Sequence, residues 1–425
     1  MIQRYLGNKA SIIDSIISEV DNLCDKGDTV CDIFSGTMSV SLNLKLNGYN
    51  VISNDINSFS YVFGKSYLLN NEIPSINFKS LKINPEDFIK KTKKILATLD
   101  SNEKGYKFLK KKALKGCFLD FLTILQYLES LDSSLISKKY RKSYFFNYYT
   151  EKGNESGFKS SRGSTGKRRY FSPENGIKLD NILNKIREWH QEKVIEDNLY
   201  YLLISVVLIS VEKISNIQGT YHDFIRESYD SRALNSIKLL PPKFDFILSN
   251  LNGHQIGKER DSLEYIKEIP RHKVLYIDPP YNFRQYTSYY FMLNLISDYC
   301  KIEDLEKYFS KTKYVRGQNM EKDFSSTFCK NALFISSLNE LITNAKTDWV
   351  IMSYYNGRNH KSGINGDKEE ILNDLDSFFN SDLFEEGSLQ VKNIERTNYQ
   401  SYGGHNAKKV NEILFIVKKN NLWIG

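Results

Sequence analysis

Residues 278–281 read Asp-Pro-Pro-Tyr and follow directly on the apolar run Val-Leu-Tyr-Ile at 274–277. A short apolar run of this kind marks a buried strand, and here it ends on a carboxylate followed by two residues with no backbone N–H. Proline also fixes φ near about −65°, so the chain leaves the strand in one extended shape and offers carbonyls rather than donors. The carboxylate of Asp278 and the carbonyl of Pro279 can together accept both hydrogens of one exocyclic NH2 group, and Tyr281 supplies a flat face for stacking. Two acceptors, an aromatic plane and no competing donor suit an amino group on a nucleobase. A rigid turn at a strand end would account for Pro279 and Pro280, but not for the acid and the aromatic that flank them.

Such a site has a specific use. The lone pair of an adenine N6 is delocalised into the ring, which makes it a poor nucleophile. Acceptors on its two hydrogens draw the nitrogen toward tetrahedral geometry, and it can then attack in line the electrophilic methyl group of a sulfonium, that of S-adenosylmethionine, which leaves as a neutral thioether. Positioning, and stabilisation of positive charge developing on nitrogen, supply the catalysis without a covalent intermediate. Methylation at cytosine C5 needs a cysteine nucleophile, usually in a Pro-Cys pair, and none of the eight prolines precedes a cysteine.

A second group of residues surrounds the first glycine turn. Asp32 lies near the end of the run 29–34 (Thr-Val-Cys-Asp-Ile-Phe), Phe34-Ser35-Gly36-Thr37 makes the turn, and Asp55 follows the run 50–53. Gly36 lets the chain bend tightly and lets a ligand approach the backbone. An acid about 20 residues beyond such a turn suits the two hydroxyls of a ribose. With one glycine the turn is not Gly-x-Gly-x-x-Gly, which disfavours a nicotinamide cofactor. The plain alternative is a tight turn with a helix-capping aspartate.

Asp32, Asp55 and Asp278 end strands or closely follow one, which is where ligands bind in a parallel sheet. Residues 8–23 suit an amphipathic helix, and Ser39 to Leu46 a helix between the first two strands, so the chain opens as a βαβ unit. From 76 to 238 the pattern is helical or loop-like, with helices over 117–131, 176–193 and 197–215. Strand patterns return at 244–249, 274–277, 349–354, 389–396 and 412–417, the last two as an antiparallel hairpin. The chain is therefore expected to be an α/β sheet domain formed by residues 1–75 and 239–425, interrupted by a mostly helical insertion at 76–238.

Charge is unevenly distributed. The formal net charge is +8, and the segment from Lys138 to Arg169, with ten cations against Glu151 and Glu155, carries all of it. Seven aromatics (Tyr140, Tyr144, Phe145, Phe146, Tyr148, Tyr149, Phe158) and the Gly/Ser-rich stretch 157–169 share that segment. Cations for phosphates, planes for bases and a flexible loop favour a nucleic-acid surface over a merely solvated one. Five cysteines, odd in number and without zinc-ligand spacing, read as reduced thiols and imply no metal. No signal peptide is expected at the N-terminus, and the apolar run 199–211 is too short to span a bilayer.

With these residues in place, the chain resembles the Dam-like, alpha-group N6-adenine DNA methyltransferases. The resemblance rests on Arg4-Tyr-Leu-Gly-Asn-Lys9, Asp32-Ile-Phe-Ser-Gly-Thr37, Asn54-Asp55 and Asp278-Pro-Pro-Tyr281, in that group's order. It extends to Asn282-Phe-Arg-Gln-Tyr286, and to Lys167-Arg-Arg-Tyr-Phe-Ser-Pro-Glu-Asn175, which is similar to a segment of some restriction-modification members. The resemblance implies a Rossmann-like sheet of seven strands, the last hairpin antiparallel, that binds S-adenosylmethionine and carries an inserted target-recognition domain. It places Tyr5 and Lys9 near the methionine end of the cofactor, and Asp32, Phe34, Ser35 and Gly36 along its pocket. Asp55 falls at the ribose, and Asp261, with Asn252 as the alternative, at the cofactor adenine.

Asp278, Pro279, Pro280 and Tyr281 are the expected catalytic residues, Tyr281 receiving an adenine flipped out of duplex DNA. Lys138, Lys139, Arg141, Lys142, Lys159, Arg162, Lys167, Arg168 and Arg169, with Lys110 to Lys112, are expected to hold DNA phosphates. The implied setting is the cytoplasm of a prokaryote or phage, as the modification enzyme of a restriction-modification system. Its partners would be double-stranded DNA and a cognate endonuclease that acts on the same site without a stable complex. Met38 departs from the family's second glycine, so its side chain must point away from the cofactor or narrow the pocket. The competing readings are an amino methyltransferase acting on RNA adenine or cytosine N4, and a silent DNA-binding relative that has lost the cofactor.

Overall fold

A computed structural model describes residues 5, 7–101, 106–222, 226–249, 253–280, 285–356, 368–397 and 409–420. Tyr281, Asn252 and the link between the last two strands lie outside the described residues. Two compact units divide the chain: Tyr5–Gly64, Leu251–Tyr289 and Asp323–Gly425 form one, Lys65–Asn250 and Tyr290–Lys322 the other.

The first unit is built on a mostly parallel seven-stranded sheet. Its strands are β1 (Thr29–Asp32), β2 (Asn50–Ser53), β3 (Gln255–Ile256), β4 (His272–Ile277), β5 (Thr347–Asn356), β6 (Gln390–Thr397) and β7 (Lys409–Lys418), in the spatial order β3-β2-β1-β4-β5-β7-β6. β1 pairs in parallel with both β2 and β4, with Val30 opposite Val51 on one side and Val274 on the other. Strands covered on both faces read as unbroken apolar runs, and Val274, Leu275, Tyr276 and Ile277 are all buried. β7 enters antiparallel between β5 and β6 and closes the sheet as a hairpin. On one face, Leu338, Leu341 and Ile342 of the helix Phe334–Asn344, and Ile371 and Leu375 of the helix Lys368–Phe379, bury against Leu275, Val350 and Phe415. Helix α1 (Ile13–Leu23) buries Ile16, Ile17 and Val20, and α2 (Ser39–Leu46) connects β1 to β2. Residues 8–12 make turns ahead of α1 rather than its first turn.

The second unit is helical, with long helices at Glu86–Ser101, Lys112–Glu129, Pro173–Gln191 and Asp197–Ile214 and one small hairpin, Gly157–Lys159 with Thr165–Lys167. Two sequence expectations change here. Residues 244–249 are not a strand: Phe244 sits edge-on to Phe108, Phe118 and Phe121, with centroids 5.3–5.8 Å away, and the segment closes one 3-10 turn. The edge of the sheet is taken by Gln255–Ile256 instead. Residues 290–322 also belong to this helical unit, because Phe291 packs on Tyr149 and Tyr170 and the ring of Tyr299 meets that of Phe145. No helix among the described residues is long and apolar enough to cross a membrane.

Candidate active site

The carboxyl ends of β1, β2 and β4 open on a cleft, the place where ligands bind in sheets of this kind. Its lining brings together Tyr5, Lys9, Asp32, Phe34, Ser35, Gly36, Asp55, Asp261, Asp278, Pro279 and Pro280, which lie more than 270 positions apart at the extremes.

Sterics dictate the turn after β1. Gly36 has φ +48°, and a Cβ there would lie 3.0 Å from the Tyr5 ring, so a side chain would meet both backbone strain and an aromatic wall. The Gly36 N–H donates to Asp55 Oδ2 at 2.8 Å, while Asp55 Oδ1 accepts from the Asn57 N–H. These two bonds tie the Gly36 turn to the loop that follows β2. Asp32 Oδ2 accepts from the Ser41 N–H and hydroxyl in the first turn of α2, where an anion is favoured. Its Oδ1 is buried and has no hydrogen-bond partner. Burial, and then the charges of Asp278 and Asp55, push the Asp32 carboxyl up to about 7, against the pull of Ser41.

Met38 occupies the left-handed region at φ 64°, a conformation that favours glycine. Its side chain is fully buried, its sulfur accepts from the Ser53 hydroxyl at 3.2 Å, and it does not line the cleft. The departure from the family pattern is therefore accommodated by backbone strain, and the cleft is not narrowed.

Asp278 leaves the end of β4 with its carboxylate still 16% exposed. Lys9, itself buried, places Nζ 2.9 Å from Asp278 Oδ1 and 2.5 Å from Glu412 Oε1. Glu412, on β7 and fully buried, also accepts from the Ser353 hydroxyl at 2.8 Å and from Arg396 Nε at 2.9 Å. Burial alone would strip the Lys9 proton, but the charges of Asp278 and Glu412 outweigh it and hold the ammonium well above its ordinary range. Burial pushes Glu412 up, yet Lys9 and Arg396 keep it below the usual carboxylate value. Burial, reinforced by Glu412 and opposed by Lys9, raises Asp278 to about 7.

Asp261 caps the short helix Ser262–Tyr265 through the Leu263 N–H and faces the cleft from the adjoining loop. Asn54 has a buried Oδ1 without a partner, and Phe34 packs edge-on against Phe328 at 5.0 Å. Glu412 and Ser326 carry no expectation from the sequence, and Asn54, Gln285 and Tyr286, which belong to the motifs behind the resemblance, are given no role there. For Glu412 a signal exists: it shares a strand face with Leu414 and Ile416, where a charge is out of place unless paired.

The basic segment behaves differently from expectation. Arg168 is 1% exposed, and its guanidinium donates to the carbonyls of Val315, Tyr148, Glu155, Thr312 and Tyr314, which leaves no N–H for a phosphate. Arg141 closes a turn on the carbonyls of Ile136 and Ser134, and Lys167 donates to the Gly153 carbonyl. Lys139 pairs with Glu192, and Arg169 with Glu151. Three of the seven aromatics, Tyr140, Phe145 and Tyr149, are core, and half-buried Tyr144 stacks on Phe309 at 4.2 Å. Ser172 caps the helix at 173, and Asn175 Nδ2 donates to the Ala233 and Asn235 carbonyls, so the 167–175 segment serves packing. Lys138, Lys142, Lys152, Lys159 and Arg162 remain exposed and without a partner among the described residues, the last two on or beside the small hairpin.

Comparison with known proteins shows the family. A family model described as D12 class N6 adenine-specific DNA methyltransferase matches residues 5–347. The chain is 27% identical to the Modification methylase StsI of Streptococcus sanguinis over 98% of its own length and 52% of that protein's. It is 27% identical to the Type II methyltransferase M.NlaIII of Neisseria lactamica over 83% of each chain, and 25% identical to the Type II methyltransferase M.CviAII of Paramecium bursaria Chlorella virus 1 over 87% and 96%. It thus spans about half the length of StsI and of M.FokI of Planomicrobium okeanokoites.

Proposed function

The chain belongs to the D12 class N6 adenine-specific DNA methyltransferases, and from that premise we propose that it transfers a methyl group from S-adenosylmethionine to N6 of an adenine flipped out of duplex DNA, as the modification enzyme of a restriction-modification system. The observation that carries the reading is Asp278 at the end of the central strand β4, backed by Lys9 and followed by Pro279 and Pro280 at the rim of an acidic cleft.

The residues present fit the cofactor. Its sulfonium and ammonium are cationic, and the cleft offers Asp32, with one buried oxygen unsatisfied, together with Asp55 and Asp278. When bound, S-adenosylmethionine supplies an electrophilic methyl group. Tyr5, Gly36 and Ser35 would shape the methionine end, Asp55 would accept from the ribose hydroxyls, and Phe34 and Asp261 would hold the adenine ring. Asp278 and the Pro279 carbonyl would accept the two N6 hydrogens of the target, localise its lone pair and stabilise the positive charge that grows on nitrogen. Lys9 would hold the Asp278 carboxylate in place, with Tyr281 as the stacking surface. The helical unit would read the target, with Lys138, Lys142, Lys159 and Arg162 on phosphates.

Incubation of the chain with tritiated-methyl S-adenosylmethionine and plasmid DNA, and in parallel with an RNA preparation, followed by nucleoside analysis, should give N6-methyldeoxyadenosine in the DNA. Label in N4-methyldeoxycytidine, in RNA only, or nowhere would overturn the reading, and calorimetry would separate the last outcome into a cofactor-binding and a silent protein.

A further inference from the structure

Lys9 is one cation shared by two carboxylates, and the second of them has no place in the proposed chemistry. Glu412 does not line the cleft. It is nevertheless fully buried, and its three partners leave neither oxygen idle: Oε1 accepts from Lys9 and Ser353, Oε2 from Arg396. Arg396 in turn lies over the Tyr355 ring, 5.4 Å from its centroid. A buried carboxylate is costly unless paired and hydrogen-bonded, so a cluster of this kind, 134 positions from the catalytic segment in sequence, calls for a role.

Geometry supplies one. A lysine ammonium on a flexible stem does not hold one direction by itself. With Glu412 gripping it from β7, the Lys9 ammonium is fixed between that strand and the end of β4. Asp278 then meets a cation of set position. The groups that act on Asp278 are Lys9, Glu412 and Arg396, with Tyr276 and Asp32 beside them on β4 and β1. Glu412 offsets part of the Lys9 charge, so Asp278 is not locked into a tight ion pair and keeps lone pairs for the cleft. Arg396 offsets Glu412 in turn.

We propose that Glu412 is a positioning residue of the methyl-transfer site, acting through Lys9 to orient and electrostatically tune Asp278, with Arg396 as its counterweight. The proposal rests on the methyltransferase reading given above. It makes opposite predictions for two substitutions. Glu412→Gln removes a negative charge near Asp278, which eases ionisation, so the acid limb of kcat should move down by about one pH unit. It also loosens Lys9, and the plateau kcat should fall on the order of tenfold. Arg396→Gln removes a positive charge, and the limb should move up. Arg396 is 11% exposed and at the sheet's outer strand, so its variant is expected to fold even if the Glu412 variant does not. A general loss of packing would lower activity without moving the two limbs in opposite directions. With wild-type chain active on adenine, limbs that stay at the wild-type pH in the folded variants overturn the proposal alone. A wild-type chain that binds S-adenosylmethionine yet labels no adenine overturns the underlying reading and the proposal with it.

Discussion

Two regions of this protein concentrate charge, and they use it in opposite ways. Around the cleft, Lys9, Asp278, Glu412 and Arg396 come from four separate stretches of chain and neutralise one another in a buried cluster, leaving one carboxylate partly open. In the segment from Lys138 to Arg169 the charges are neighbours in sequence, and half of them are spent on turns, carbonyls and local ion pairs. Proximity in sequence therefore overstated the second region and hid half of the first. What counts is whether a charged group has a partner after folding, since a satisfied guanidinium is a strut and an unsatisfied one is an interaction surface.

The contrast can be broken most sharply at Asp278. Asp278→Ala should lower methyl transfer by on the order of 10³-fold, while DNA binding, measured by gel shift, is retained because the exposed cations are untouched; retained turnover would remove Asp278 from its role. Next comes the proton. Asp278 must be ionised to share the N6 hydrogens with the Pro279 carbonyl and to stabilise the charge growing on nitrogen, and burial raises it to about 7, so kcat should fall about tenfold per pH unit below that value and level off above it. A profile flat down to pH 5 would contradict this. In the basic segment, Arg168→Ala should cost on the order of 3 kcal/mol in a denaturant melt, since several buried carbonyls lose their donor, with no change in the salt dependence of DNA binding. Lys159→Ala with Arg162→Ala should do the reverse: no shift in stability, and a log–log salt slope shallower by about 2. If Arg168 changed the slope, the distinction between strut and surface would fail. The smallest effect is expected at Met38→Gly, where relief of left-handed strain partly offsets the cavity and leaves a net loss of about 1–2 kcal/mol. Affinity for S-adenosylmethionine should be unchanged, because Met38 does not line the cleft.

The parts of this arrangement legible in the sequence are those where local chemistry and local geometry coincide. Asp278-Pro279-Pro280-Tyr281 announces itself because a rigid turn after a buried strand explains the prolines but not the acid and the aromatic that flank them, and the Gly36 turn because an acid follows it about 20 residues on; the structure adds that a side chain at Gly36 would meet Tyr5. The sheet followed from unbroken apolar runs, with one failure: residues 244–249 have the composition of a strand, but Phe244 is claimed by the rings of Phe108, Phe118 and Phe121. Composition cannot tell an aromatic core from a strand interior. Glu412 shows in the sequence only as a charge on an apolar strand face, and its role does not show at all, since its partners Lys9 and Arg396 become neighbours only through the spatial order of the strands. Arg168 failed in the other direction, because a basic run looks the same whether its members face water or carbonyls.

The bond from Lys9 to Glu412 joins residues 403 positions apart. A contact of that separation exists only once the sheet has been assembled around it, so the setting of Asp278 depends on β7 being seated between β5 and β6.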